Sequence, residues 1–249
     1  MKERNIIQLN ATASTNDDLK ARIAASDGPV WDVVTAKMQT GGRGRLGRSF
    51  FSPPGGLYFS AALPLTGTET NVPCLTLVAG LCVCEALEDL CGIEPRIKWP
   101  NDLYLNGKKL CGILCELVNG KTLTAVAGVG VNLTAPKETI PEELRQKVTS
   151  LWAEKVSVPA PAALMKDVID RLDRAVYQDR VLSDEAAAAR YIGRVQARGY
   201  LTGKTVSCVV NGVTLTGVFA GVAPTGAALL RLPDGSERQI ISGEMICQV

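Results

Sequence analysis

The amino-acid sequence predicts an α+β fold, in which a mixed and mostly antiparallel sheet is flanked by helices and followed by a small β-barrel. Three observations support this fold class. Between residues 97 and 133, Asn-Gly pairs separate apolar runs, which is typical of a meander of antiparallel strands. Between Val72 and Leu90, apolar residues recur at the spacing of a buried helix. Roughly the last 50 residues are short apolar runs separated by turn signals, which is typical of a small barrel.

The first helix is predicted to begin at Ser14. A serine is a favoured N-cap, and Asp17 and Asp18 place negative charge in the first turn. Leu19 and Ile23 continue the segment with apolar residues at helical spacing. Early strands are predicted at 30–36 and 57–65, a long glycine-rich loop at 41–56, and further helices at 141–148, 160–177 and 184–198.

Turn signals predict the layout of the rest of the chain. The pairs Asn106-Gly107 and Asn119-Gly120 predict tight type I′ turns within the meander. In the C-terminal segment, four strands are predicted at 205–210, 213–220, 226–232 and 237–241, with Asn211-Gly212 and Asp234-Gly235 between them. The sequence therefore predicts two domains, residues 1–198 and residues 199–249, with the boundary near Gly199.

Composition narrows the class of protein. Hydrophobic residues make up 46% of the chain and charged residues 21%, which is ordinary for a soluble globular protein. The net charge of +2 is too small to indicate nucleic-acid binding through bulk charge. The N-terminal residues do not resemble a signal peptide, and no apolar run approaches the ~20 residues of a membrane helix. We therefore expect a cytoplasmic protein without membrane or DNA partners.

The absence of histidine restricts the possible chemistry. Ser–His–Asp, Cys–His and histidine-ligated metal sites are excluded because the chain has 0 histidines. Among the 8 cysteines, only Cys82 with Cys84 and Cys111 with Cys115 lie close in sequence, and neither pair has zinc-site spacing. We predict buried, unreactive thiols and no metal cluster held by the protein. The chemistry must then depend on Lys, Arg, Asp, Asn, backbone amides and a soluble metal ion.

The loop Gly41–Arg48 is the first candidate site. Its glycines allow the backbone to approach an anion, and Arg43, Arg45 and Arg48 supply donors for phosphate or carboxylate. It lacks the Gly-Lys-Ser/Thr sequence of a Walker loop. From composition alone, a solvated arginine–glycine loop that contacts RNA is an equally good interpretation.

Residues 98–102 form the second candidate, with Lys98, Asn101 and Asp102 beside Pro100. A lysine can neutralise phosphate, and an aspartate can hold Mg²⁺ or accept a proton. Taken alone, the segment is better explained as a turn at the end of a strand with a surface Asn-Asp pair.

Two strands supply the remaining candidates. Lys108 and Lys109 should point to opposite faces of one strand, so that one lysine reaches a site; two surface lysines on an edge strand are the alternative. Gly128 and Gly130 lie within a buried strand, which indicates that another group approaches its backbone closely. The third glycine of a dinucleotide-binding turn is missing.

Five segments, taken in order, resemble the catalytic domain of biotin–protein ligases, the family that includes holocarboxylase synthetases. Each motif alone is moderately specific, whereas the five in this order are highly specific. The matching segments are Ser14–Asn16, Gln39–Arg48 with Phe51–Pro53, Lys98–Asp102, Lys109–Glu116 and Gly128–Asn132.

The resemblance implies a class II synthetase-like catalytic fold followed by an SH3-like barrel. It also implies two half-reactions: biotin and MgATP give biotinyl-5′-AMP and pyrophosphate, and a lysine of a biotin-carrier domain then displaces AMP. It further implies ATP with Mg²⁺ as the cofactor, biotin as a substrate and a biotin carboxyl-carrier protein as the protein partner.

The resemblance also assigns site residues. Arg45 would bridge the biotin carboxylate and the phosphate, Lys109 would contact the reacting oxygens, and Asp102 would orient or deprotonate the acceptor lysine or hold Mg²⁺. The implied biotin site contains Ser14, Thr15, Asn16, Gln39, Gly42, Arg43, Lys109 and Gly112. The implied ATP and adenylate site contains Arg45, Arg48, Phe50, Lys98, Asn101, Asp102 and Asn132.

The sequence departs from the family pattern at Leu46, which is often basic in relatives, and at Phe50, which is often Trp. An N-terminal DNA-binding module, which many bacterial relatives carry, is absent from the chain, so repression of transcription is not expected. A lipoate–protein ligase and an RNA-binding protein are the rival interpretations, and monomer and homodimer are both compatible with the sequence. We expect the loop at 41–54 to be mobile without ligand and ordered by the adenylate.

Overall fold

The computed structural model describes residues 3–134, 140–210 and 212–247. Within these ranges the chain forms a seven-stranded sheet and a five-stranded sheet, with four α-helices packed around the first. The helices are α1 (Thr15–Ala24), α2 (Leu75–Cys91), α3 (Pro161–Asp173) and α4 (Glu185–Ala197). The strands of the first sheet are β1 (Ile6–Leu9), β2 (Val33–Ala36), β3 (Gly56–Pro64), β4 (Arg96–Lys98), β5 (Asp102–Leu105), β6 (Lys108–Asn119) and β7 (Leu123–Asn132).

The first sheet is mixed and mostly antiparallel, as predicted. Its strand order is β1-β2-β3-β7-β6-β5-β4, and only β1 and β2 pair in parallel. Alternate residues of each strand face opposite layers. On one face, Leu19 and Ile23 of α1 pack with Val34, Ala62 and Val126. On the other, α2 packs against the sheet together with α3 and α4 and forms the larger core. Both faces are therefore covered, which explains why β3 is almost wholly apolar and buried.

The C-terminal strands form a second, antiparallel sheet. They are β8 (Thr205–Val210), β9 (Val213–Val222), β10 (Ala228–Arg231), β11 (Glu237–Ile240) and β12 (Ile246–Cys247), in the order β11-β10-β9-β8-β12. In the part of the chain that the structure describes, β11 and β12 remain edges, so no closed barrel is formed. The sheet is joined to the first unit where Trp99 Nε1 donates to the Gly226 carbonyl at 3.0 Å.

Most predicted elements are confirmed. Ser14 occupies the N-cap of α1 with an extended backbone, although its side chain makes no capping hydrogen bond. The predicted helix at 160–177 is α3 followed by a π-helical turn, Arg174–Gln178. Asp184 caps α4 by accepting from the Ala187 amide at 2.7 Å. The short strands β1, β4 and β12 were not predicted.

Two local predictions are wrong. Residues 141–148 were predicted to be a helix but contain only a 3₁₀ turn, Glu142–Leu144. The backbone after this turn forms hydrogen bonds with β6 instead of continuing a helix. The Lys109 amide donates to the Lys147 carbonyl, and the Thr149 amide donates to the Lys109 carbonyl, both at 2.9 Å.

The second error concerns the meander. Asn106 and Gly107 have φ values of 49° and 79°, which confirms the predicted type I′ turn. Asn119, however, pairs with Leu123, so β6 and β7 are joined by three residues rather than by a tight Asn-Gly turn. Asn211 of the third predicted pair lies outside the described residues.

Five of the 8 cysteines are buried, as predicted, and Cys91, Cys115 and Cys247 are partly buried. All 8 are free, and burial raises the pKa of Cys74, Cys82 and Cys115 to about 12. These thiols are therefore protonated at neutral pH and pack as small apolar groups. Every helix within the described ranges is too short or too polar to cross a bilayer.

The prediction that a group approaches the Gly128–Gly130 backbone is confirmed, and the groups are side chains of the protein. A Cβ added at Gly128 would lie 2.1 Å from Asn16 Oδ1, and one added at Gly130 would lie 2.5 Å from the Phe50 ring. The missing side chains therefore make room for Asn16 and Phe50.

We predict that Gly128→Ala lowers the free energy of unfolding by about 1–3 kcal/mol, because hydrogen bonds to Ser60, Leu114 and Glu116 prevent Asn16 from moving away. Gly193→Ala is the matched control. Gly193 lies within α4, no atom approaches its added Cβ within 4 Å, and alanine should stabilise the helix by about 0.4–1 kcal/mol. Urea denaturation measures both changes, and equal stability of Gly128→Ala and wild type would contradict the contact described above.

Candidate active site

The N-terminus of α1 supplies three buried polar residues, Ser14, Thr15 and Asn16. They are the N-cap and the first two residues of the helix, on the face of the sheet that α1 covers. Gln39 holds this end of α1: its Oε1 accepts from the Thr15 amide at 2.9 Å and from Thr15 Oγ1 at 3.2 Å. The other end of the Gln39 amide donates to Ser52 Oγ at 2.9 Å. The orientation of Gln39 is therefore fixed by partners at both ends.

A narrow pocket opens at this point. It lies between the N-terminus of α1, the Gly41–Arg48 loop and the glycines of β6 and β7. Its wall includes seven of the eight residues predicted for the biotin site, which are Ser14, Thr15, Asn16, Gln39, Arg43, Lys109 and Gly112. Gly42, the eighth, lies behind the wall, where an added Cβ would be 2.6 Å from Ser52 Oγ.

The Phe50 ring covers the glycine floor of the pocket. Added Cβ atoms at Gly112 and Gly130 would lie 2.8 Å and 2.5 Å from ring carbons of Phe50. The ring also meets Tyr58 edge-on at a centroid distance of 6.4 Å. Sequence reasoning placed Phe50 with the nucleotide; in the structure it belongs to the walls of both this pocket and its neighbour.

A second, cationic pocket adjoins the first. It gathers six of the seven residues predicted for ATP and the adenylate, which are Arg45, Arg48, Phe50, Lys98, Asn101 and Asp102, and it also contains Lys109. Asn132 is not brought there. It is buried, and its Nδ2 donates to the Thr149 carbonyl at 2.9 Å, so it holds the segment that follows the 3₁₀ turn.

Lys109 stands at the junction of the two pockets. Its Nζ lies 2.7 Å from Asp102 Oδ1 and 5.5 Å from the centre of the Phe50 ring. Lys98 Nζ donates to Tyr104 Oη at 3.2 Å; burial opposes its charge, but Tyr104 and Asp102 raise the pKa of Lys98 overall. Both lysines therefore place positive charge where an anionic ligand would lie.

The C-terminal sheet contacts the arginines of the loop. Arg45 donates to the Gly243 carbonyl at 3.1 Å and to Ser242 Oγ at 3.2 Å, and Arg48 forms a two-pronged ion pair with Glu244. Burial lowers the pKa of Arg45, but Asp102 and Glu244 oppose this, and a guanidinium stays charged at neutral pH. Residues 242–244 therefore complete the cationic pocket.

Arg43 points in a different direction from the other two arginines. Its guanidinium lies 2.7 Å from a carboxylate oxygen of Asp17 in α1. Leu46, at the tip of the loop, is 72% exposed and has φ 57° and ψ 35°, a left-handed conformation that is unusual for leucine. Leu46, where the sequence was expected to depart from the family pattern, is thus an exposed apolar tip.

Sequence reasoning missed Ser60 and residues 242–244. Ser60 lies within an apolar run, so no local signal distinguishes it. Glu244 is 196 residues from Arg48, and only the fold brings them together. Ser52 could have been found, because it lies within the Phe51–Pro53 match that extends the loop motif.

We predict that Glu244→Ala makes the Gly41–Arg48 loop more sensitive to trypsin at Arg45 and Arg48, because the ion pair with Arg48 is lost. Arg48 holds the pKa of Glu244 below its usual value, so the contact is present at neutral pH and is lost only as acid protonates this carboxylate. The timed digest compares Glu244→Ala with Glu237→Ala, an exposed glutamate on β11 of the same sheet.

The same digest tests the expected ordering of the loop by ligands. We expect biotin with ATP to protect the wild-type loop. Equal cleavage with and without these ligands would contradict the ordering, and equal cleavage of Glu244→Ala and wild type would contradict a holding role for the ion pair.

Comparisons with known proteins agree with this geometry. The family model described as "Biotin/lipoate A/B protein ligase family" matches residues 9–132, and the model "Biotin protein ligase C terminal domain" matches residues 202–247. In three dimensions the chain is similar to a structure described as "Biotin protein ligase from Aquifex aeolicus in complex with biotin and ATP". The TM-score is 0.81 with 30% identity, and the match covers 98% of each chain.

Curated relatives give the same result. The chain is 33% identical over 238 residues to the "Biotin--[acetyl-CoA-carboxylase] ligase" of Paracoccus denitrificans, covering 94% of this chain and 96% of that protein. It is 32% identical to the "Bifunctional ligase/repressor BirA" of Escherichia coli (strain K12), covering 93% of this chain and 70% of that protein. It spans only 44% of the length of the Bacillus subtilis "Bifunctional ligase/repressor BirA". The chain belongs to the biotin/lipoate A/B protein ligase family.

Proposed function

We propose that this chain is a biotin–protein ligase. It forms biotinyl-5′-AMP from biotin and ATP and transfers biotin to a specific lysine of a carrier domain, such as that of acetyl-CoA carboxylase. The observation that carries the proposal is the junction of two pockets at Lys109. One pocket is narrow and lined mainly by uncharged groups, and the other contains four cations, Arg45, Arg48, Lys98 and Lys109.

The first half-reaction needs two anions to meet. A carboxylate oxygen of biotin attacks the α-phosphorus of ATP, the bond to the bridging oxygen breaks, and pyrophosphate leaves. Lys109 lies where the carboxylate end of a ligand in the narrow pocket would meet phosphate in the other. It reduces the repulsion between the two anions and stabilises the charge that develops at phosphorus. Arg45 bridges the carboxylate and the phosphate.

The second half-reaction transfers the acyl group. The amine of the acceptor lysine attacks the biotinyl carbonyl, the bond to AMP breaks, and the amine loses a proton. Asp102 is the nearest carboxylate to Lys109 and orients the incoming amine or takes its proton. Once the adenylate forms, Arg45 and Arg48 hold it under the loop until the carrier arrives.

Mg²⁺ accompanies ATP in this proposal. Among the described residues, no group of three Asp, Glu, Cys or His side chains could hold a metal ion on its own. Asp102 and Glu244 are the carboxylates that line the cationic pocket, so they fit a role beside an ion held chiefly by phosphate oxygens. Mg²⁺ would neutralise phosphate charge there.

The proposed partners follow from the reaction. They are biotin, ATP and a carrier domain, and the net charge of +2 supports the proposal that DNA is not among them. We propose that the protein acts in the cytoplasm. We also propose that residues 1–198 form the catalytic domain and residues 199–249 the second domain; the match of residues 202–247 to the C-terminal family model supports that division.

We predict that Lys109→Ala lowers biotin-dependent exchange of pyrophosphate into ATP by about a hundredfold or more, because it removes the cation shared by the two anions. Lys108→Ala is the matched control, since Lys108 is the neighbouring residue of β6 and lines neither pocket. It should retain activity within about twofold.

The same assay is run with lipoate in place of biotin. Wild-type exchange with biotin alone supports the proposal. Exchange with lipoate alone would make the chain a lipoate–protein ligase, and no exchange with either acid would exclude the proposed activity.

We predict that Arg45→Ala releases the adenylate about tenfold to a hundredfold faster, because a charged hydrogen-bond donor to the adenylate is lost. The measurement is the release of labelled biotinyl-5′-AMP from a preformed complex. Arg96→Ala, an exposed arginine of β4 paired with Glu94, is the control. Release at the wild-type rate from Arg45→Ala would exclude a retention role for Arg45.

A further inference from the structure

Ser60 is a buried polar residue to which the proposed reaction gives no role. It lies in the middle of β3 with 0% of its surface exposed, between Phe59 and Ala61. Its register partner on β7 is Gly128. The missing side chain at Gly128 leaves the space that Asn16 fills, so Ser60 and Asn16 meet over the glycine.

The Ser60 hydroxyl has two acceptors at the end of α1. Its Oγ lies 2.7 Å from Thr15 Oγ1 and 2.5 Å from Asn16 Oδ1, and it donates toward both. A serine hydroxyl has one hydrogen, so the two acceptors share it. Ser60 therefore ties two neighbouring residues of the polar pocket to the centre of the sheet.

Asn16 is held from the opposite side as well. Its Nδ2 donates to Glu116 Oε2 at 2.8 Å and to the Leu114 carbonyl at 3.3 Å. Glu116 is in turn paired with Lys20 Nζ at 2.9 Å. The amide of Asn16 thus has its oxygen directed to Ser60 and its nitrogen directed to β6.

Thr15 connects Ser60 to Gln39, the residue at which the glycine–arginine segment begins. Its Oγ1 accepts from Ser60 and donates to Gln39 Oε1, and Gln39 Nε2 donates to Ser52 Oγ. Ser52 Oγ donates to the Phe50 carbonyl at 2.9 Å. A continuous series of hydrogen bonds therefore runs from Glu116 through Ser60 to Phe50, two residues beyond the Gly41–Arg48 loop.

This series sets the polarity of the pocket wall. Because the Thr15 hydrogen is used on Gln39, Thr15 Oγ1 can offer a ligand only its remaining lone pair. Gln39 Oε1 already accepts twice from Thr15, so both of its lone pairs are engaged within the protein. A head group that donates N–H, such as the cyclic urea of biotin, can pair with the open lone pair of Thr15 Oγ1. A dithiolane ring has no such donor and gains no hydrogen bond there, so the pocket binds it less tightly.

We propose that Ser60 is a positioning residue for the acid-binding pocket: by holding Thr15 and Asn16 it makes the pocket select an N–H-donating ring over a dithiolane. The proposal rests on the proposed function, since it assigns specificity within the same site. Ser60 acts through Thr15 and Asn16 and lies behind the pocket wall.

The test uses Ser60→Ala in the full chain. Steady-state pyrophosphate exchange gives KM for biotin, KM for ATP, and the ratio of kcat/KM for biotin to that for lipoate. Loss of one shared hydrogen bond should raise KM for biotin about tenfold, leave KM for ATP within about twofold and lower the biotin-to-lipoate ratio about tenfold.

Thr124→Val is the matched control. Thr124 is buried on β7, and its hydroxyl donates to the Thr122 carbonyl away from the pocket. This variant should show a lower Tm and wild-type KM values. Two outcomes would overturn the proposal and leave Ser60 a structural residue. One is that Ser60→Ala and Thr124→Val change Tm and both KM values alike. The other is that Ser60→Ala lowers Tm but leaves KM for biotin unchanged.

Glu116→Gln decides the matter if Ser60→Ala does not fold. Glu116 lies at the partly exposed end of the series, so its change is milder, and KM for biotin should rise about threefold while KM for ATP stays the same. An unchanged KM for biotin would overturn the proposal. Failure of the proposed function is distinguishable, because wild type would then show no biotin-dependent exchange.

Discussion

The close packing of α1 against Gly128 of β7 is the constraint on which the site depends. Gly128 lets Asn16 reach the sheet, and this contact sets the depth at which the helix begins. Ser14 and Thr15 precede Asn16 directly, so the same contact positions them as well. Gln39 is positioned in turn by its hydrogen bond with the Thr15 amide. The loop that follows Gln39 therefore starts from a fixed point, although its own residues have little regular structure.

Charge is distributed unevenly about this fixed point. The narrow pocket is lined mainly by uncharged groups, whereas the neighbouring pocket concentrates arginine and lysine from the loop, β4 and β6. Lys109 belongs to both. The C-terminal sheet contributes Glu244, so two of the four cations already face a carboxylate: Arg48 pairs with Glu244, and Lys109 pairs with Asp102. The pocket therefore keeps an excess of positive charge for an incoming anion, while the two carboxylates limit the repulsion among the cations.

Sequence patterns predicted the features that neighbouring residues determine. They did not predict the features that depend on contacts between distant segments. The Gly41–Arg48 loop and the Lys98–Asp102 segment could be singled out because glycine, arginine and lysine suggest anion binding, but composition left their roles open and the resemblance to a family assigned them. Ser60 could not be singled out, because its role depends on the register of β3 against Gly128. Residues 141–148 have helical composition, but their backbone pairs with Lys109 instead, a contact between segments about 40 residues apart.

The pair Asn16 and Gly128 also limits how the pocket can be redesigned. A larger residue at position 128 fits only with a smaller one at position 16, because the two side chains share one close-packed space. Changing either alone would displace the start of α1 and, with it, Thr15. An engineer who wishes to admit a bulkier acid would therefore have to vary both positions together in a library, although they are 112 residues apart in the chain.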